Sequence, residues 1–138
     1  MKKDDCIFCK IANGEIPSRT LYEDDEFKVI MDLAPATKGH SLVIPKNHFA
    51  NLYEIPDETL GKAIVLAKKM ATIMTDKLSC DGFNILQNNG ERAGQTIFHF
   101  HLHLIPRYLD DNQKEAVFDA THPEAEELDA IFKQITEQ

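Results

Sequence analysis

The heptapeptide His99-Phe100-His101-Leu102-His103-Leu104-Ile105 constrains this chain more than any other stretch. Three of the six histidines stand there at alternate positions. Side chains of a strand alternate faces, so the spacing predicts all three imidazoles on one wall. Phe100, Leu102 and Leu104 then turn to the core. Same-face neighbours would lie about 6.6 Å apart along the strand. Each buried imidazole needs a hydrogen-bond partner. A wall made only of histidine is a poor sheet surface, so the row points to chemistry. Neutral imidazole can attack phosphorus, which splits one difficult displacement into two easier ones. Its neighbours could polarise phosphoryl oxygens or protonate a leaving group. Three histidines also suit a zinc ion, and the residues alone leave that alternative open.

The remaining pattern predicts an α+β fold in one domain spanning residues 1–138, long enough for one hydrophobic core. Cys6 to Ala12 reads as a short helical turn, closed by Asn13-Gly14. Tyr22 to Asp25 reads as a turn between short strands, Phe27–Met31 and Ser41–Ile44 as strands, and Asp32 to Gly39 as a loop. A long helix starts near Asp57 and ends at Asp81-Gly82. Leu60, Ile64, Ala67, Ala71, Met74 and Leu78 give it one apolar stripe, for the sheet or for a dimer seam. Phe83–Leu86 is a further strand, residues 87–95 a loop and Thr96–Ile105 a long strand stopped by Pro106. A last helix runs from Glu124 to Thr136, with acidic residues suited to its N-terminal dipole. The expected sheet is antiparallel, with about five strands.

Charge narrows the partners. The net charge is −8. Residues 1–106 carry 12 basic and 14 acidic side chains, whereas residues 107–138 carry 3 and 9. No basic stripe is present to track a polynucleotide backbone. The longest apolar run, Ala63 to Ala67, is far too short for a membrane span. No apolar signal core follows Lys2-Lys3, so a cytoplasmic protein is expected. Three cysteines do not suggest a disulfide framework.

The histidine row resembles the signature of the histidine triad (HIT) superfamily. Cys6-Ile7-Phe8-Cys9-Lys10-Ile11, Glu15-Ile16-Pro17, Gly39-His40-Ser41-Leu42-Val43-Ile44-Pro45-Lys46 and Gly94-Gln95-Thr96 extend the likeness over about residues 6–106. The ending Leu104-Ile105-Pro106-Arg107-Tyr108 resembles the prokaryotic nucleotide-binding hydrolase branch. The resemblance implies a HIT-like fold and a homodimer whose sheets join. It implies a nucleotide hydrolase or transferase acting at the α-phosphate of purine mononucleotide derivatives, with a nucleoside phosphoramidase as the leading form. His101 matches the nucleophile, His103 the third triad histidine and His40 an upstream histidine of the same site. Asn88, Gln95 and Thr96 match the phosphate contacts, with Thr96 standing where the family often has Ser. Asp32 matches a ribose ligand, and Ile7, Phe8 and Ile16 a base pocket.

Cys6 and Cys9 form a C-x-x-C pair, which can hold zinc with two further ligands. The pair resembles the structural zinc site of many bacterial histidine triad proteins, with His48 and His99 completing it. There the first triad histidine serves the metal, and the chemical step itself needs none. A redox pair and two unliganded buried thiols are the other readings. The rival functions are dinucleoside polyphosphate cleavage and a non-catalytic nucleotide-binding module. Cleavage of polyphosphates would use the same nucleophile with a different leaving group.

Overall fold

A computed structural model describes residues 2–115 and 118–137. Its elements are α1 (Ile7–Ala12), β1 (Thr20–Glu23), β2 (Phe27–Met31), β3 (Ser41–Pro45), α2 (Asp57–Leu78), β4 (Gly82–Leu86), β5 (Leu102–Arg107) and α3 (Ala125–Thr136). A single 3-10 turn, Glu91–Ala93, precedes β5. The five strands form one antiparallel sheet in the order β1-β2-β3-β5-β4. The expected α+β architecture is therefore present, with its long central helix and its C-terminal helix.

Each face of the sheet is covered differently. Phe27, Val29, Val43, Leu102 and Leu104 pack with Ala63, Leu66, Ala67, Met70 and Met74 of α2. On the opposite face, Ile30, Leu42 and Ile44 meet Phe8 and Ala12 of α1. This double covering explains why β2 and β3 read as nearly continuous apolar runs. Register places Leu42 opposite His103, so the α1 face is also the histidine face.

Several boundaries differ from the sequence pattern. Tyr22 lies inside β1, and the turn begins at Asp24, whose Oδ1 accepts from the amides of Glu26 and Phe27. The α2 stripe is rotated: Ala63, Leu66 and Met70 are buried, whereas Ile64 is 48% exposed. Small Ala63 and Ala67 let the helix approach the sheet closely. Pro56 occupies the N-cap, and α2 stops before Asp81-Gly82, at Ser79 in the left-handed conformation (φ 52°).

The largest correction concerns the expected strand Thr96–Ile105. Ladder pairing covers only Leu102–Arg107, and residues 96–101 are irregular. The reason is competition for main-chain groups. The Phe100 amide donates to Phe49 O at 2.6 Å, and the Pro45 carbonyl accepts from the His99 ring. Pro45 itself has no N–H to offer a neighbour. Pro106 does not end the strand either. Pairing with β3 stops at Leu104, so only β4 flanks the proline.

Gly39 sets the entry to β3 and the position of the adjacent His40. Its φ is +90°, and an added Cβ would lie 2.6 Å from Leu78 Cδ1 and 3.4 Å from Pro106 Cγ. Leu78 can shift, but the backbone strain stays. Gly39→Ala is expected to destabilise the fold by about 1–3 kcal/mol. Equilibrium denaturant unfolding measures this, and an unchanged midpoint would contradict it.

Candidate functional site

Two groups of side chains meet on the α1 face. The first joins Cys6, Cys9, His48 and His99, whose ligand atoms all lie within 4.8 Å of one another. Cys6 is the N-cap of α1 and its Sγ accepts from the Cys9 amide at 3.3 Å. The two sulfurs lie 3.3 and 3.4 Å from His99 Nδ1, and Cys9 Sγ lies 3.4 Å from His48 Nδ1. His99 is fully buried, and its Nε2 donates to Pro45 O at 2.8 Å. That bond assigns the proton to Nε2 and leaves the Nδ1 lone pair facing the thiols. A metal-ligating histidine needs this arrangement. The two sulfurs and two imidazoles are a zinc-type donor set, and the tetrad fits such an ion. Burial pushes the Cys9 thiol up, so cation binding would release protons.

The second group is the rest of the row. His101 Nδ1 donates to the His99 carbonyl at 2.7 Å. A neutral imidazole carries one proton, so Nε2 of His101 keeps its lone pair. The Ala36 amide donates to His40 Nδ1 at 2.9 Å, which places the His40 proton on Nε2. That nitrogen donates to His103 Nδ1 at 3.0 Å. His103 must then carry its own proton on Nε2. The rings of His101 and His103 are 4.9 Å apart. A nitrogen lone pair and an N–H donor therefore stand side by side. Asp32, His40 and His103 are also close enough to suit a cation. There, however, the Ala36 amide holds the His40 proton on the very nitrogen a cation would need.

Burial outweighs charge at these imidazoles. It lowers His40, with the Asp32 carboxylate 3.7 Å away opposing the shift. Burial likewise lowers His101 and brings His99 and His103 down to about 4. All four are neutral near pH 7.

The other expected residues fall into three sets. Asp32 Oδ1 caps the turn through the Ala34 amide, and Oδ2 faces His40. Gln95 is buried, and its side chain is spent on the loop: Oε1 accepts from Gly90 N, and Nε2 donates to Ala50 O and Ile97 O. Its contribution is to hold residues 90–97 in place. Asn88 is half-buried beside Gly94, and Thr96 is exposed. Ile7 is 49% exposed, Ile16 half-buried and Phe8 only 6% exposed. Phe8 packs edge-on against His101, with ring centroids 4.9 Å apart at 90°. Sequence reasoning missed Ile30, Leu42 and Ile44, which form the apolar floor beneath Phe8. It also missed the main-chain partners Pro45 O and Ala36 N, for which no sequence signal exists.

Residues 13–110 match the HIT domain family. The chain belongs to that family. This HIT domain is 39% identical over 130 residues to Adenosine 5'-monophosphoramidase HNT1 of Saccharomyces cerevisiae, covering 94% of the chain and 80% of that protein. A solved HIT family member from Bacillus subtilis superimposes with a TM-score of 0.88 at 42% identity, covering 98% of the chain and 97% of its own. A zinc-bound histidine triad family protein from Mycobacterium smegmatis does so with 0.74 at 38% identity, covering 95% of each.

The lowered histidines make acid stability a test of their burial. Unfolded, they take up protons near pH 6.5, whereas folded His103 resists until about 4. Between those values the unfolded chain binds more protons, so stability falls as pH falls. The thermal midpoint should be level above about pH 7 and decline from about 6.5 towards 4. A midpoint that is flat across that interval would contradict the assignment.

Proposed function

We propose that this HIT domain is a nucleotide hydrolase acting at the α-phosphate of purine nucleoside monophosphate derivatives, with an adenosine phosphoramidate as its substrate class. One observation carries the reading: His101 offers an unprotonated Nε2 beside the protonated Nε2 of His103. In the proposed reaction, His101 Nε2 forms a bond to phosphorus as the bond to the leaving amine breaks. The His103 N–H hydrogen-bonds a phosphoryl oxygen, His40 Nε2–H donates to His103 Nδ1 behind it, and the departing amine takes its proton from a water molecule. The hydroxide left by that water then bonds to phosphorus as the P–N bond to His101 breaks, which releases the nucleotide and returns neutral His101. The phosphoramidase name of the yeast relative supports this choice of leaving group.

Asp32 retains Oδ2 for a ribose hydroxyl, and Ile7 with Ile16 would flank the base. Asn88, Thr96 and the amides of the loop that Gln95 braces would receive the phosphate. Zinc would sit in the tetrad as a structural ion and take no part in the chemical step. The zinc-bound mycobacterial neighbour supports that ion. The whole chain is read as one domain that forms a homodimer. Its β4 lies at a sheet edge with exposed Ile85 and Leu86, and α3 exposes Leu128, Ile131, Phe132 and Ile135.

The deciding experiment offers wild type and His101→Ala an adenosine phosphoramidate and a diadenosine polyphosphate, with AMP binding measured alongside. Phosphoramidate turnover should fall on the order of 10⁴-fold or more in the variant, while AMP still binds. A preference for the polyphosphate would keep the nucleophile and change the substrate class. AMP binding with no turnover of either by folded wild type would favour a binding module.

Metal content is a separate prediction. Purified protein should hold one zinc per chain, and Cys9→Ser should lose most of it. An ion contributing about 3 kcal/mol to folding raises the thermal midpoint by roughly 10 °C in a chain of this size. Elemental analysis and a melt with excess chelator read both effects. No bound zinc with all four ligands intact would refute the site.

A further inference from the structure

Phe8 connects the two halves of the site. It lies between Cys6 and Cys9 in sequence, so any ion held by those thiols fixes the backbone that carries it. Its ring makes an edge contact with His99 at 6.1 Å and another with His101 at 4.9 Å. Ile30, Leu42 and Ile44 support it from the sheet. A second link runs through the main chain, because the His99 carbonyl accepts from His101 Nδ1 while the His99 ring belongs to the tetrad.

We propose that Phe8 is a positioning residue that holds the His101 ring in its attacking orientation, so that filling the tetrad and the reactivity of His101 are coupled. This rests on the reading of His101 as the nucleophile. The hydrogen bond at Nδ1 fixes one atom of the imidazole, and the His103 ring lies against it at 4.9 Å. The rigid Phe8 edge, at 90° and also 4.9 Å, adds the aromatic restraint that comes from the thiol-bearing helix. At 6% exposure Phe8 spends most of its ring on this packing, whereas Ile7 on the same helix is 49% exposed. Misplacing a reacting group by about an ångström costs on the order of a hundredfold in rate without changing the chemistry.

The test compares metal-loaded, full-length wild type with Phe8→Leu. It reads kcat for an adenosine phosphoramidate, Kd for AMP, and the His101 Nδ1–H proton resonance by NMR. Phe8→Leu should lower kcat by about tenfold to a hundredfold and leave Kd within about threefold. The Nδ1–H resonance should shift or broaden, and stripping the ion from wild type should move it in the same way. A Kd raised tenfold or more, with kcat and resonance kept, would make Phe8 a wall of the base pocket and overturn the proposal. A resonance unmoved by stripping would overturn the coupling. If Phe8→Leu does not fold, Phe8→Met is judged by the same readings. A wild type that binds AMP without turnover would sink the hydrolase reading, and the resonance alone would then decide the role of Phe8.

Discussion

Two main-chain carbonyls determine what the histidine row can do. Pro45 O takes the proton of His99 on Nε2, and His99 O takes that of His101 on Nδ1. The neighbouring imidazoles, two residues apart, are thereby fixed in opposite tautomers. One turns a lone pair to two thiols, and the other keeps a lone pair on the nitrogen remote from the backbone. Identical side chains acquire different chemistry because their acceptors sit on different sides of the ring. The Ala36 amide does the converse at His40, where a donor in place of an acceptor reverses the tautomer again.

These bonds are made at the expense of the sheet. Extending β5 back to residue 96 would require the Pro45 carbonyl and the Phe100 amide to pair with neighbouring strands. Both are engaged elsewhere, so regular pairing begins only at Leu102. Burial of Phe100, Leu102 and Leu104 under α2 preserves the alternation across that break. The core side of the segment holds the site side in register although half of it has left the ladder.

The legible part of this molecule was its periodicity. The punctuation around α1, β2, β3 and α3 predicted elements close to those observed, and the alternation at residues 99–105 predicted which side chains face the core. Periodicity could not show which main-chain groups the side chains would capture, and the boundary of β5 depends on that. It also missed the rotation of α2, because Ile64 and Ala63 are both apolar and only the approach of the helix to the sheet chooses between them. Phe8 was visible as an aromatic near the site, but its contact with His101 arises from tertiary packing. Lys28 was invisible altogether: it is 7% exposed on a strand, with Nζ donating to Ile11 O at the end of α1. A lysine inside an apolar run gives no sign of the carbonyl that will receive it.

The charge balance follows the same division between local and global. A chain of net charge −8 is a poor match for a polyanion, which needs many cations in a line. A single phosphate poses a smaller problem. Charges beyond about 8–10 Å are largely screened at ordinary ionic strength, so net charge alone weighs little on a local site. Within the site, burial keeps four imidazoles neutral and removes both the attraction and the proton that would block attack. A phosphoryl group there would be held by oriented N–H dipoles, which need no counter-charge and do not lose their donor when a proton leaves. The proposed nucleophile and dipolar cradle are mutually consistent: adding a cation to strengthen binding would lower the basicity of His101, and adding a carboxylate to raise that basicity would repel a phosphate. Asp32 is placed between these limits: its carboxylate lies 3.7 Å from His40, and its charge partly opposes the burial that lowers His101.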